Sequence, residues 1–135
     1  FYAPQAEIGD QVGDPYTVMF FPADDPKGLV HGTEGAHILA KDPPGFFAFE
    51  WVVFAGDDKK GSHAPPYAPE SMRRPQPLPT WVELIFTRNA GGTHVVFHHY
   101  GFGDGALWDQ SRAWFTGAWG GVLEGMKAHC ATGTQ

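Results

Sequence analysis

Seven histidines are the residues of this sequence best suited to bind a metal ion or to move a proton near neutral pH. His94, His98 and His99 fall in one segment that reads as a β-strand, because it is rich in β-branched and aromatic residues. In a strand, His94 and His98 share a face but lie roughly 13 Å apart, and His98 and His99 point to opposite faces. Neither pair can chelate one ion. The other histidines are scattered, so we expect neither a metal site nor a cofactor.

Neither the serines nor the cysteine lies in a sequence motif that is typical of a catalytic nucleophile. Ser62, Ser71 and Ser111 lack the strand–turn–helix pattern that exposes a catalytic serine. Cys130 falls late on an apolar helical stripe and reads as a small core residue. As the only cysteine, it excludes an internal disulfide and a cysteine-based zinc site. No catalytic residue can therefore be named from the sequence.

His99 is the most informative polar residue. Strand parity places it on one face with Val95 and Phe97, which we expect another element to cover. A histidine on a covered face is either a core residue satisfied by a hydrogen bond or a polar anchor in a mostly apolar pocket. Both interpretations stay open at this point.

Two hairpins are predicted to carry that face. The clearer one joins Thr80–Thr87 to Thr93–Tyr100 through a glycine-bearing turn. The other joins a strand within Gly32–Lys41 to Phe46–Phe54 through a proline–glycine turn. A further strand is expected at Tyr16–Phe21. Alternation along these strands predicts two more apolar sets, each on one face: Phe47, Phe49 and Trp51, and Val82, Leu84 and Phe86.

The segment Gly56–Pro79 is long, irregular and rich in proline, which cannot donate to a sheet. It also carries four of the nine basic residues. A solvated loop and a lid at a cavity mouth are both consistent with this composition. In either case we expect it to be the most mobile internal segment.

The C-terminal part predicts one long helix after a glycine-rich turn, with Asp104 as its N-cap and Gly133 just past its end. Gly101, Gly103 and Ala106 have the spacing of a dinucleotide fingerprint, but no second parallel strand follows, so we interpret these glycines as a sharp turn. An antiparallel sheet followed by one helix predicts an α+β domain in which the helix covers one face of the sheet. The apolar stripe of the helix comprises Phe115, Trp119, Val122, Leu123, Met126 and Cys130.

Length and composition indicate one globular domain, with 135 residues of which 42% are hydrophobic and 15% aromatic. A net charge of −6 argues against a nucleic-acid surface. No run is apolar enough to span a membrane, and no signal peptide is visible. The chain starts at Phe1, so we expect a truncated N-terminus, which leaves a removed signal open. The lone cysteine favours the cytoplasm.

Several segments, taken together and in order, resemble the SRPBCC superfamily. They are Gly92-Thr93-His94-Val95, then His99-Tyr100-Gly101, then the helical set Phe115, Trp119 and Leu123. Within the superfamily the chain is similar to the branch called activator-of-heat-shock-protein-ATPase-like, or polyketide-cyclase-like. The resemblance covers nearly all of residues 1–135 as a single domain that lacks the family's first strand and two short helices.

The resemblance implies a START-like helix-grip fold, in which a curved antiparallel sheet wraps a long C-terminal helix. It also implies a cavity between them for a small hydrophobic or aromatic molecule. A cyclase- or hydrolase-type enzyme using the same cavity and a co-chaperone-like interaction module are the alternatives, and a homodimer is left open. If the apolar faces converge on this cavity, we expect its ligand-binding residues to be His99, Phe47, Phe49, Trp51, Val95, Phe97, Phe115, Trp119 and Leu123.

Overall fold

A computed structural model describes residues 2–51 and 79–132 of the chain. These residues form two antiparallel sheets and one C-terminal helix. The small sheet pairs β1 (Gln5–Ile8) with β2 (Tyr16–Met19). The large sheet has the order β3-β4-β5-β6, and α1 (Ala106–Ala131) follows it. This arrangement confirms the predicted α+β class. The strands of the large sheet are β3 (Ile38–Asp42), β4 (Phe46–Trp51), β5 (Thr80–Asn89) and β6 (Gly92–Tyr100).

Both predicted hairpins are present, with small differences in their bounds. β3 pairs with β4 and β5 pairs with β6, each in antiparallel register. β3 begins at Ile38 and not near Gly32, because the chain turns at Thr33–Ala36 before it enters the sheet. β2 ends at Met19 and not at Phe21. Almost all of the proline-rich segment, and the predicted continuation of β4 to Phe54, lie outside the described residues.

β1 is a strand that the sequence analysis did not predict. Its four residues, Gln5–Ile8, are all exposed, so no alternation of apolar and polar residues marks it. The strand is defined by its pairing with β2, whose four residues are all buried. A segment can therefore form a strand by pairing with a buried neighbour, even when its own sequence shows no strand pattern.

The register of the large sheet brings the predicted apolar faces together. Val82 lies between Phe49 on one side and His99 on the other. Leu84 lies in the same way between Phe47 and Phe97. Because side chains alternate along each strand, all these residues share one face of the sheet. The parity argument made from sequence is confirmed on this point.

α1 packs on that shared face through buried side chains between Ser111 and Trp119. Phe115 and Trp119 are buried there and join a core that includes Phe49, Trp51 and Val82. The 26 residues of α1 give a length of roughly 39 Å. The nine residues of β6 span only about 30 Å. The helix is therefore longer than this strand, and its last turns are exposed.

Two predictions about the helix are wrong. Cys130 is exposed and is no core residue, because it lines an open cleft between the last turns of α1 and the β5–β6 hairpin. The N-cap is Gly105 and not Asp104, and no side chain caps the helix. Gly105 has φ 110° and Gly101 has φ 95°, values that favour glycine. These glycines form the sharp strand-to-helix turn that the sequence predicted.

Candidate functional site

His99 occupies the centre of a hydrogen-bond chain beneath α1. Trp119 donates from its indole N–H to His99 Nδ1 at 3.0 Å, and His99 Nε2 lies 2.7 Å from Thr80 Oγ1. Thr80 in turn donates its hydroxyl proton to the carbonyl oxygen of Trp51 at 3.0 Å. An indole N–H can only donate, so Nδ1 is the acceptor and Nε2 carries the proton. The chain therefore runs in one direction, from Trp119 to the backbone of β4.

The surroundings keep His99 neutral. Aromatic rings of Phe102, Phe115 and Trp119 contact the imidazole edge-on, with centroids 4.6, 5.2 and 6.0 Å away. Burial lowers the pKa of His99 to about 3, because the charged form would lose its hydration. Both ring nitrogens are already engaged within the protein. As arranged here, His99 holds the helix to the sheet, and it would have to give up a bond to serve as a ligand anchor.

A cavity of ≈ 250 Å³ opens beside the Trp119 ring on one side of α1. Among the described residues that line it, six of eight have aromatic side chains and none carries a charge. We call it the aromatic cavity. Trp51 and Trp119 meet edge-on in its wall, with their centroids 4.7 Å apart. Its lining residues are Tyr2, Phe20, Trp51, Trp114, Phe115, Ala118, Trp119 and Val122.

Polar atoms near the aromatic cavity are few. The Tyr2 and Tyr16 hydroxyl oxygens are hydrogen-bonded to each other at 2.9 Å. Burial raises the pKa of both hydroxyls, so they stay neutral. The indole N–H of Trp51 is buried and has no hydrogen-bond partner among the described residues. The cavity thus favours neutral apolar molecules over charged ones.

A second cleft, of ≈ 340 Å³, lies along the other side of Phe115 and Trp119. We call it the histidine cleft because the imidazole of His99 lines it. Unlike the aromatic cavity it has a charged group, the guanidinium of Arg112. Its lining residues are Phe97, His99, Phe102, Arg112, Phe115, Thr116, Trp119, Gly120 and Leu123.

The nine residues predicted to bind a ligand do not all meet in one cavity. Trp51 lines the aromatic cavity, whereas Phe97, His99 and Leu123 line the histidine cleft, and Phe115 and Trp119 separate the two. Val95 lines a third, wider cleft of ≈ 610 Å³ near the C-terminal end of α1. The remaining two, Phe47 and Phe49, line none of these three cavities and pack in or against the core.

Sequence reasoning missed several residues of the aromatic cavity. Trp114 and Ala118 were left out of the helical stripe, although with Val122 they recur at i, i+4 and i+8 beside Phe115 and Trp119. A wider stripe would have included them. Tyr2 comes from a segment without a clear pattern and Phe20 from the end of the predicted strand Tyr16–Phe21, and only the tertiary structure brings them to the helix.

The described residues offer no metal centre. Across residues 2–51 and 79–132, no three His, Cys, Asp or Glu side chains come together in a group that could hold an ion. In the same part of the chain, no helix combines the length and the hydropathy needed to cross a lipid bilayer.

Comparison with known proteins does not assign a family. No family model matches the chain. No curated protein and no solved structure matches it either. Function must therefore be argued from the cavities themselves.

Proposed function

We propose that this chain is a helix-grip domain of the SRPBCC kind that binds a small neutral hydrophobic or aromatic molecule in the aromatic cavity. The order of the described elements supports the fold, since a four-stranded antiparallel sheet carries a long C-terminal helix across one face. The motifs Gly92–Val95 and His99–Gly101 lie on β6 and just after it, as the resemblance requires.

The observation that carries the proposal is a cavity walled by six aromatic side chains and free of charge among its described lining residues. Ligand pockets are mostly apolar and aromatic, with few polar groups. A cavity of about 150 Å³ already accepts benzene. At ≈ 250 Å³, the aromatic cavity has room for a substituted ring.

Binding fits this site better than catalysis does. A cyclase or hydrolase needs at least two polar groups that act together on a substrate. The polar group proposed from sequence, His99, has both nitrogens bonded within the protein and does not line the aromatic cavity. An apolar ligand needs none of these groups, since burying its surface supplies the affinity.

A neutral fluorescent probe tests the proposal. N-phenyl-naphthylamine should bind the protein with a rise in dye fluorescence and quenching of tryptophan, because three tryptophans line the cavity. Ala118→Leu adds a side chain to the cavity wall and should weaken binding by about tenfold or more, since the added atoms occupy ligand volume.

Ala113→Leu is the matched control. Ala113 is exposed on the same helix and does not line the cavity, so this variant should bind the dye as the unchanged protein does. Equal losses in the two variants would place the dye elsewhere. Absence of dye binding by the unchanged protein would favour the protein-interaction role.

A further inference from the structure

The histidine cleft differs from the aromatic cavity in having one cationic group at its edge. Phe97 and Leu123 provide apolar walls, from β6 and α1 respectively. Among the described residues that line the cleft, Arg112 alone carries a charge, because His99 is held neutral by burial. The cleft is therefore apolar along its length and positive at one point.

Contacts within the protein orient the guanidinium of Arg112 towards the turn before α1. Its Cζ lies 5.5 Å from the centroid of the Phe102 ring, a cation–π distance. One terminal nitrogen donates to Asp109 Oδ1 at 2.8 Å, and the other donates to the carbonyl oxygen of Gly103 at 3.0 Å. A donor held in this way loses little conformational freedom on binding.

Arg112 has N–H groups that its contacts within the protein do not use. A guanidinium has five N–H groups, and the two contacts with Asp109 and Gly103 engage two of them. The Asp109 carboxylate competes with a ligand for the guanidinium, but the two side chains are 71% and 47% exposed, so water weakens their pair. The remaining N–H groups are available to an anionic oxygen, which an ionised donor binds through a short, strong hydrogen bond.

From this arrangement we propose that the histidine cleft is a second binding site, specific for an anionic amphiphile. The ligand is a small aromatic or aliphatic acid whose carboxylate or sulfonate pairs with Arg112. Its apolar body lies along Phe97, Phe115 and Leu123. The site does not depend on the aromatic cavity, because their common residues Phe115 and Trp119 form the wall between them.

Two dyes with the same ring system separate this site from the first. Anilinonaphthalene sulfonate carries the anion, and N-phenyl-naphthylamine lacks it. Arg112→Gln should weaken sulfonate binding about tenfold, since a charge-assisted pair is lost, and should leave the neutral dye within about twofold. Asp109→Asn should tighten sulfonate binding, because it removes the competing carboxylate.

Glycine substitutions locate the sulfonate. Gly120 lines the histidine cleft and has open space where a Cβ would be, so Gly120→Leu should block sulfonate binding. Gly121 has the same open space but lines neither the aromatic cavity nor the histidine cleft, and Gly121→Leu is the matched control. Both variants raise helix propensity equally, so a difference between them reports on the cleft.

Titration of the unchanged protein and the four variants, with helical content checked by circular dichroism, decides the question. Loss of sulfonate binding in Arg112→Gln and Gly120→Leu, with Gly121→Leu unchanged, is the expected result. Sulfonate affinity that is insensitive to Arg112→Gln would overturn the proposal, and so would equal effects of the two leucines. The sulfonate affinities test the histidine cleft whether or not the neutral dye binds the aromatic cavity.

Discussion

His99 shows how one buried side chain can be structural and still bear on function. Its two nitrogens connect Trp119 on the helix with Thr80 on β5, and Thr80 continues the connection to β4. The imidazole therefore links three elements through neutral hydrogen bonds. Such a network stabilises only while the histidine stays uncharged, since a second proton would remove the acceptor that Trp119 needs.

This requirement makes stability depend on pH. The pKa of His99 is about 3 in the folded protein, below the ordinary histidine value of 6.5 that applies when the chain is unfolded. Between these values the unfolded state binds more protons, so the stabilising contribution is complete above about pH 6.5 and declines as pH falls. From pH 7 to pH 5 we expect His99 to account for a loss of about 2 kcal/mol.

Urea titrations at pH 7 and pH 5 measure this contribution by difference. From pH 7 to pH 5, the free energy of unfolding of His99→Asn should fall by about 2 kcal/mol less than that of the unchanged protein, because asparagine does not titrate. His94→Asn is the control for replacing a histidine with asparagine, since His94 is exposed on the same strand and lies outside the Trp119–His99–Thr80 chain. A His99→Asn variant with the original pH dependence would contradict the assignment.

At the scale of elements, the contact between α1 and the large sheet rests on few side chains. Ser111, Phe115 and Trp119 are the buried residues of the 26-residue helix. Trp119 makes the most contacts of the three, because its ring packs against Trp51, Phe97 and Tyr2 and its indole N–H donates to His99. The open space on both sides of this narrow contact forms the aromatic cavity and the histidine cleft.

Trp119→Ala should therefore lower the free energy of unfolding by about 3–5 kcal/mol, from lost burial and the cavity left behind. Trp119→Phe keeps a ring but leaves His99 Nδ1 without its donor, which should cost about 1–3 kcal/mol. Denaturant titration measures both. Leu107→Ala, at an exposed site on the same helix, should change stability by less than about 0.5 kcal/mol. A loss below about 1 kcal/mol for Trp119→Ala would mean that the helix is held elsewhere.

At the scale of the molecule, a buried hydroxyl binds the segment between β2 and β3 to the small sheet. Thr33 is fully buried; it accepts a hydrogen bond from the Val18 amide and donates one to the Tyr16 carbonyl oxygen, each at 2.9 Å. Tyr16 stacks on Phe49 with ring centroids 3.8 Å apart. Thr33 thus fixes β2, and with it the position of Tyr16, which is hydrogen-bonded to Tyr2 in the wall of the aromatic cavity.

Thr33→Val keeps the shape of the side chain but leaves the Val18 N–H and the Tyr16 C=O without this partner. We expect a loss of about 1–3 kcal/mol for each group left unpaired. Thr33→Ser retains the hydroxyl and should lose only about 1 kcal/mol, for one buried methyl group. Denaturant titration compares the stabilities of the two variants. In Thr33→Val, the Val18 amide should also exchange its hydrogen faster. Equal stabilities of the serine and valine variants would contradict a bonding role.

The sequence by itself determined the two hairpins, the terminal helix and the face to which the apolar side chains of β4, β5 and β6 point. These features follow from turn residues and from periods of two and 3.6 residues, which are local properties of the chain. It also singled out His99 as the polar residue on the covered face. It did not predict β1, whose exposed residues carry no pattern.

Only the tertiary structure decided how the shared face is divided. The ring of Trp119 and its bond to His99 occupy the centre, so the predicted residues separate into different cavities, and Phe47 and Phe49 belong to the packing. Strand parity tells which side a residue faces but not whether another side chain already fills the space there. That depends on where a long helix crosses the sheet, and the crossing is set by contacts between residues distant in sequence.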